Sequence, residues 1–444
     1  MRPFANWAEQ DPIKDWWLDF IEIVNYLLKN SGVNPKDIMA VGITGLVPSM
    51  CPLDKSGEII RNAILHSDNR AYKELEYINS VLPEPITLGF VLPKLLWFRD
   101  QELNNYQRTA KILNPHSYLI YRLTGKYSSD IDTASIFGGV FAREQWDSDF
   151  CKLLDISPEI LPEIYPATSI VGEVLPIAAE QTGLYPGTPV IAGTGDSFAS
   201  MIGSGVINKG ELMIYLGTSG TQILLNRDIT DLANSIHFGQ DKAEFVANVL
   251  ACGESLECLR SILGVDSWDR LNEGAGEITP GSEKLIFLPH LKGQRSPIVD
   301  VFARGLIYGL EPGHTKFHIY KALIEGIAYN LKEGFLKIHD KVQRIIVSGG
   351  GAKSSVFRQI ISDVFDFPIE YPSKANAAIG IAYLAGYSIG VFSDFDYLAR
   401  KWIPITDVSL PKKDNVPIYQ EYFNVYQDVN RNMQKLNIKL HSLS

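Results

Sequence analysis

Short apolar runs that stop abruptly in glycine-rich turns set the frame for this chain. Pro189–Ala192 ends in GTGD (Gly193–Asp196), Leu212–Leu216 and Gln222–Leu225 flank GTSGT, and Arg344–Val347 ends in SGGG (Ser348–Gly351). β-Branched runs bounded by glycine read as strands, and two of them around a short glycine turn read as a β-hairpin. Between them lie amphipathic helical stretches at Asp15–Lys29, Pro93–Asn105, Ser117–Leu123, Lys316–Ile338 and Ser355–Phe365, with further strands at Ile38–Thr44 and Lys284–Leu288. That alternation predicts α/β layers, and the hairpin makes the sheet mixed rather than purely parallel. A chain of 444 residues is too long for one core. The Gly/Pro-rich stretch Thr182–Gly195 divides it into domains 1–187 and 188–444. At the end, Tyr419, Tyr422, Tyr426, Val429, Met433 and Leu436 recur at a three/four spacing, a stripe expected to turn a closing helix, Ile418–Leu440, toward the core.

Forty-one Lys and Arg against 51 Asp and Glu leave a formal net charge of −10, the wrong sign for a general binder of nucleic acid or anionic lipid. Hydrophobic residues at 45% and charged residues at 21% suit a packed globular chain and exclude long disorder or a fibrous repeat. No apolar stretch approaches a membrane span, and the start, MRPFANWAEQDPIKDWW, has no basic head followed by an apolar core. Cys51, Cys151, Cys252 and Cys258 are too few for a disulfide framework and never fall in C-x-x-C. They are expected as buried thiols in a cytoplasmic protein. His290, His314 and His318 show no metal-ligand spacing.

Glycines at strand ends let backbone N–H groups converge on a phosphate, because no Cβ blocks the approach and φ can be positive. Any one such turn also serves sterics alone; a phosphate-rich ligand would need several. GGGAKSS (Gly349–Ser355) is not a P-loop, since Ala352 stands where the glycine before lysine is required. Neither GTGDSFAS nor SGGGAKSS contains the dinucleotide fingerprint G-x-G-x-x-G. Asp196 has two readings: a helix N-cap accepting the amides of Ser197–Met201, or a general base taking the proton of an attacking hydroxyl in phosphoryl transfer.

Together these residues resemble the FGGY family of carbohydrate kinases, most closely its xylulokinase-like branch. FVLPKLLWFRDQE (Phe90–Glu102) resembles the family's first signature and GLIYGLEPGHTKFHIYKALIE (Gly305–Glu325) its second, with Leu323 a departure. SYLIYRLTGKYSSD (Ser117–Asp130), GTGDSFAS, YLGTSGT, FLPHLKGQRSP (Phe287–Pro297) and IIVSGGGAKSSVFRQIISDVF (Ile345–Phe365) extend the likeness over nearly the whole chain. The resemblance implies a two-domain actin/hexokinase-like α/β fold with ribonuclease-H-like cores, an N-terminal sugar-binding domain and a C-terminal nucleotide-binding domain. It implies ATP and Mg²⁺, a small sugar or polyol as acceptor, a ketopentose such as xylulose first among them, and, by association alone, a homodimer. It makes Asp196 the catalytic base. Gly217, Thr218, Ser219 and Gly220 become the second phosphate loop, and Gly349, Gly350, Gly351 and Ala352 the adenosine-binding turn. In ILHSDNRA (Ile64–Ala71), Asp68 and Arg70 stand where the family's W-x-D-x-R stretch approaches the sugar; a solvated loop ion pair is the other reading.

Two departures qualify the resemblance. Family members open with a strand, a D-x-G-T turn and a second strand that hold Mg²⁺ and the γ-phosphate, and this chain begins past that hairpin, so the first domain is expected to lack its first strands. Three explanations stand: a misassigned start, a hairpin supplied by a separate polypeptide, or a truncated or pseudo-kinase that binds sugar or nucleotide without phosphotransfer. Second, where xylulokinases carry Q-M-H and glycerol kinases Q-R-E, this chain has GLVPS (Gly45–Ser49), and Leu46, Val47 and Pro48 cannot offer the same side-chain hydrogen bonds. His66 replaces the tryptophan before Asp68, and Gln294 a more usual glutamate. Glycerol is therefore not the expected acceptor.

Overall fold

The computed structural model describes residues 7–82, 85–228, 242–265, 267–294, 298 and 300–443. The chain separates into two compact units, Met1–Gly203 with Ala377–Tyr397, and Ser204–Asp228 with Ala243–Asn376 and Leu398–Ser444.

In the first unit, Thr194–Gly195 runs parallel to Thr44–Gly45, and Val41 bridges Val190. These short parallel pairings deliver GTGD and GLVPS to the same end of the unit. The predicted strand Ile38–Thr44 is realised only as this bridge and the two-residue pairing that follows it. The first unit runs on to Gly203 because the helix Asp196–Ile202 packs against the helix Ala377–Ser388, which returns from far along the chain. That approach is close: a Cβ on Gly380 would meet the Ala199 carbonyl oxygen at 2.0 Å. Two apolar clusters fill the unit, one around Trp17, Leu113, Tyr118 and Val190, the other around Leu92, Leu95, Phe98 and Phe137.

The second unit is built on a six-stranded mixed sheet in the order Ala243–Val249, Gly220–Leu225, Glu211–Leu216, Arg344–Ser348, Ile369–Tyr371, Asp407–Ser409. The predicted hairpin is there, with Leu212 opposite Leu224 and Leu216 opposite Gly220. Glu211–Leu216 also pairs in parallel with Arg344–Ser348, so Tyr215 lies beside Ser348. The helix Lys316–Phe335 is buried almost all round, as an interior helix must be. In the closing helix Asn415–His441, Tyr419 and Tyr426 are buried as the stripe predicted, and Tyr422, Val429 and Met433 pack partly against the core. Leu436 is a correction, since it is exposed, and Phe423 takes a core place the spacing missed. The thiol expectation is corrected at one position too: Cys51, Cys151 and Cys252 are buried but Cys258 is exposed.

Glu325, on the interior helix, accepts hydrogen bonds from Gly281 N (3.0 Å), Ser282 Oγ (2.7 Å) and the Tyr419 hydroxyl (3.1 Å). Burial nonetheless raises its pKa to about 7. The folded state therefore holds this proton more tightly than the unfolded chain does, and stability falls as pH rises from about 4.5 to about 7. Glu325→Gln imitates the protonated acid. Its melting should match the parent near pH 5 and exceed it by about 2 kcal/mol at pH 8, as denaturant titrations at the two pH values would show.

Candidate active site

Asp196 is the first residue of its helix, and the N-cap position belongs to Gly195. The capping reading thus places the carboxylate one residue too early. The Asp196 carboxylate accepts the backbone N–H groups of Val47 and Ser197. Burial, the dominant effect, pushes its pKa up to about 6, against those two amides, its own backbone N–H and the attraction of His116. Val47 belongs to GLVPS, so the loop that departs from the family pattern touches the proposed base. It does so through its backbone, and its side chain adds an apolar wall: Val47 Cγ2 lies 2.3 Å from where a Cβ on Gly195 would stand.

Beside Asp196 lies a buried polar cluster that the sequence reading did not single out. Asp130 caps the helix Ile131–Ser135, accepting from Thr133 N at 3.2 Å. Its carboxylate also takes His116 Nε2 at 3.0 Å and the Thr194 hydroxyl at 2.9 Å. Thr194 Oγ1 lies 3.1 Å from Asp132 Oδ2. Asp132 is 1% exposed, and its pKa is held well above the ordinary carboxylate value by burial first and by Asp130 and Asp196 beyond it. The signal in the sequence was the D-x-D pair Asp130–Asp132 behind a helix that begins Pro115-His116.

Asp68 and Arg70 form a buried pair, not a solvated one. Arg70 reaches Asp68 through Nε at 2.8 Å and Nη2 at 2.7 Å, and Glu9 through Nη2 at 2.7 Å. The guanidinium lies over the Trp7 ring at 3.6 Å. Ala8 N, at 2.6 Å, and Arg70 N, at 3.0 Å, also donate to Asp68. Arg70 Nη1 is the atom of the pair left without a hydrogen-bond partner.

In the second unit, GTSG and SGGG stand at the same ends of two neighbouring parallel strands, where α/β sheets present their ligands. The carbonyls of Gly217 and Thr218 accept from Gly253 N (2.9 Å), Cys252 N (2.9 Å) and Glu254 N (3.3 Å) at the start of the helix Gly253–Ile262. Carbonyl oxygens that would repel a phosphate are thereby taken up by the helix. Thr218 is exposed and Gly217 and Ser219 half-buried. Gly351 packs on Leu216, its Cβ position 3.0 Å from Leu216 Cβ, so the two turns share that residue as a floor. Ala352 is buried. Gln294 is buried and accepts from Asn430 Nδ2 at 3.2 Å, whereas Arg295, Ser296 and Pro297 lie outside the described residues.

Among the described residues no group of three or more His, Cys, Asp or Glu side chains could hold a metal ion. No helix among them is long and apolar enough to cross a membrane.

Comparison with known proteins adds an independent line. Residues 1–203 match the N-terminal domain model of the FGGY family of carbohydrate kinases, and residues 212–389 its C-terminal domain model. A xylulose kinase of Bacillus subtilis (strain 168) is 30% identical over 99% of this chain and 91% of its own. Among solved structures, a xylulose kinase from Rhodospirillum rubrum superposes with a TM-score of 0.85 at 24% identity, covering 98% of this chain and 93% of that one. A gluconate kinase from Lactobacillus acidophilus reaches 0.86 at 23% identity, covering 99% and 92%.

Proposed function

This chain belongs to the FGGY family of carbohydrate kinases, and from that membership we propose that it moves the γ-phosphoryl group of ATP onto a hydroxyl of a ketopentose such as xylulose, with Asp196 as general base. It is an enzyme that phosphorylates a sugar, on a two-domain actin/hexokinase-like α/β fold.

The observation that carries the role of Asp196 is its setting: a half-buried carboxylate held by the Val47 and Ser197 amides with a pKa of about 6. Such a group is ionised at neutral pH yet basic enough to accept a proton as a hydroxyl attacks phosphorus. Asp68 and Arg70 are proposed to act on the sugar side, through Arg70 Nη1. The turns Gly217–Gly220 and Gly349–Ala352 would take the phosphates and the adenosine. Mg²⁺, expected with the nucleotide, finds no cage among the described residues, and no step proposed here runs through it.

The acceptor rests on the named relative, a xylulose kinase 30% identical over 99% of the chain. An ADP-release assay over ketopentoses, aldopentoses, glycerol and gluconate should give the highest kcat/KM with a ketopentose. Faster turnover of gluconate would overturn the substrate, and no ADP with any acceptor would overturn the transfer. In the same assay kcat/KM should fall about tenfold per pH unit below about 6, since protonated Asp196 cannot take a proton. A profile flat down to pH 5 would remove Asp196 from the step.

A further inference from the structure

Thr194 poses a problem of proton counting. Its hydroxyl sits 2.9 Å from Asp130 Oδ2 and 3.1 Å from Asp132 Oδ2, yet a hydroxyl has one hydrogen to donate. If both carboxyls were ionised, one contact would set two lone pairs face to face in a buried site. Short of sharing that one hydrogen between two buried anions, one of the two acids brings its own proton. Asp130 already has His116 Nε2 at 3.0 Å from Oδ1 and accepts from Thr133 N at 3.2 Å on Oδ2, so both of its oxygens are engaged. Asp132 has no such donors; its Oδ2 faces Thr194 and its Oδ1 has no hydrogen-bond partner at all. The proton belongs on Asp132 Oδ2, giving a chain that runs from Asp132 through Thr194 to Asp130 and His116.

This arrangement leaves Asp132 Oδ1 as a buried acceptor with nothing to accept. Leaving such an atom unmade is costly, and the carboxyl that carries it lies beside the proposed base: its other oxygen, Oδ2, is 3.4 Å from the Cβ position of Gly195, the residue immediately before Asp196. On the same glycine the other near neighbour is Val47 Cγ2, at 2.3 Å. The backbone leading into the proposed base is thus flanked by an apolar side chain on one hand and by a neutral acid with a spare lone pair on the other. Leu46, Val47 and Pro48 have no side-chain hydrogen-bonding groups, so polar recognition has to come from elsewhere.

We infer that Asp132, as a neutral carboxylic acid, is a specificity-determining residue of the kinase: its Oδ1 accepts a hydrogen bond from an acceptor-sugar hydroxyl next to the one that reacts. This rests on the reading of Asp196 as the base beside which the sugar lies. Neutrality matters, because a further ionised carboxylate beside Asp130 and Asp196 would add to the repulsion of a polyanionic phosphoryl donor. It also fits an uncharged polyhydroxylated acceptor. A site built to accept a hydroxyl discriminates sharply against an analogue that lacks it.

The test is calorimetric and needs no turnover. The parent chain, Asp132→Asn and Asp132→Ala would each be titrated with the preferred ketopentose and with its mono-deoxy analogues. The parent should lose roughly tenfold in affinity for one analogue. Asp132→Ala should bind the intact sugar as weakly as the parent binds that analogue, with no further loss on removing the hydroxyl. Asp132→Asn, whose amide oxygen can take the same hydrogen bond, should stay close to the parent. Should Asp132→Ala fail to fold, Asp132→Leu, which fills the space without polar atoms, takes its place. Equal losses for every analogue in parent and variant would overturn the proposal, and so would Asp132→Asn binding as poorly as Asp132→Ala. If Asp196 is not the base, Asp196→Asn will turn over normally while these affinities still report on Asp132, so the two failures are distinguishable.

Discussion

Asp196→Asn should lower kcat by about 10³-fold and leave sugar affinity nearly unchanged. Asn preserves the size of the side chain and keeps one oxygen for the Val47 and Ser197 amides that hold it. It loses basicity altogether. The attacking hydroxyl must then shed its proton to water or to the phosphoryl group itself, and general-base assistance is the contribution forfeited. The folded state should not suffer, because burial is what raises the pKa of this group, and removing a carboxylate that is costly to ionise relieves that penalty. Rapid-quench measurement of ADP formation, set beside a calorimetric sugar titration, separates the two effects. A variant that retains kcat within a few-fold, or one that loses sugar binding and turnover together, removes Asp196 from the chemistry.

The second large effect is expected at Gly349. Its φ is +91°, and a Cβ there would stand 2.7 Å from the Leu216 carbonyl oxygen and 2.8 Å from its carbon. Both are backbone atoms of the strand that carries the neighbouring turn, so neither can swing aside. Gly349→Val must push SGGG away from GTSG. It should cost about 1–3 kcal/mol of stability and raise the KM for ATP by tenfold or more, about 1.4 kcal/mol of nucleotide affinity. Gly350 offers the contrast: its φ is −61° and no heavy atom lies within 4 Å of its Cβ position. Gly350→Ala should melt like the parent, and a raised KM for ATP would report a ligand lying against that open backbone. Thermal melts and nucleotide titrations of the pair decide the matter. An unchanged KM in both variants would take the nucleotide off this turn.

Much of the second unit was legible because its strands advertise themselves. Arg344–Ser348 and the hairpin around GTSGT are continuous apolar runs closed by glycine, and in the structure they are the centre of the sheet. The first unit was harder to read. Its central pairings are two residues long, too short for periodicity to register, and the helix that completes it, Ala377–Ser388, is separated from its partner Asp196–Ile202 by most of the second unit. The closing helix shows the limit of a stripe: Leu436 fits the spacing but ends exposed, while Asn430 and Asn437 are buried. Polarity alone could not reveal that an asparagine there satisfies Gln294. Asp196 stands out in the sequence because a carboxylate behind two glycines is conspicuous. Asp132 does not, since the proton count that singles it out needs Thr194, 62 residues away in sequence, to be seen touching it.

The return of Ala377–Tyr397 to the first unit bears on how the molecule comes into being. A ribosome releases the first 203 residues long before it makes the helix whose Gly380 seats against Ala199. Until then the face of Asp196–Ile202 that this helix covers has no mate, and Asp196 rides on an unfinished support. The first unit must wait, partly assembled, until Ala377–Tyr397 has been synthesised, so a stalled or prematurely ended chain would carry the motif without the means to hold it steady.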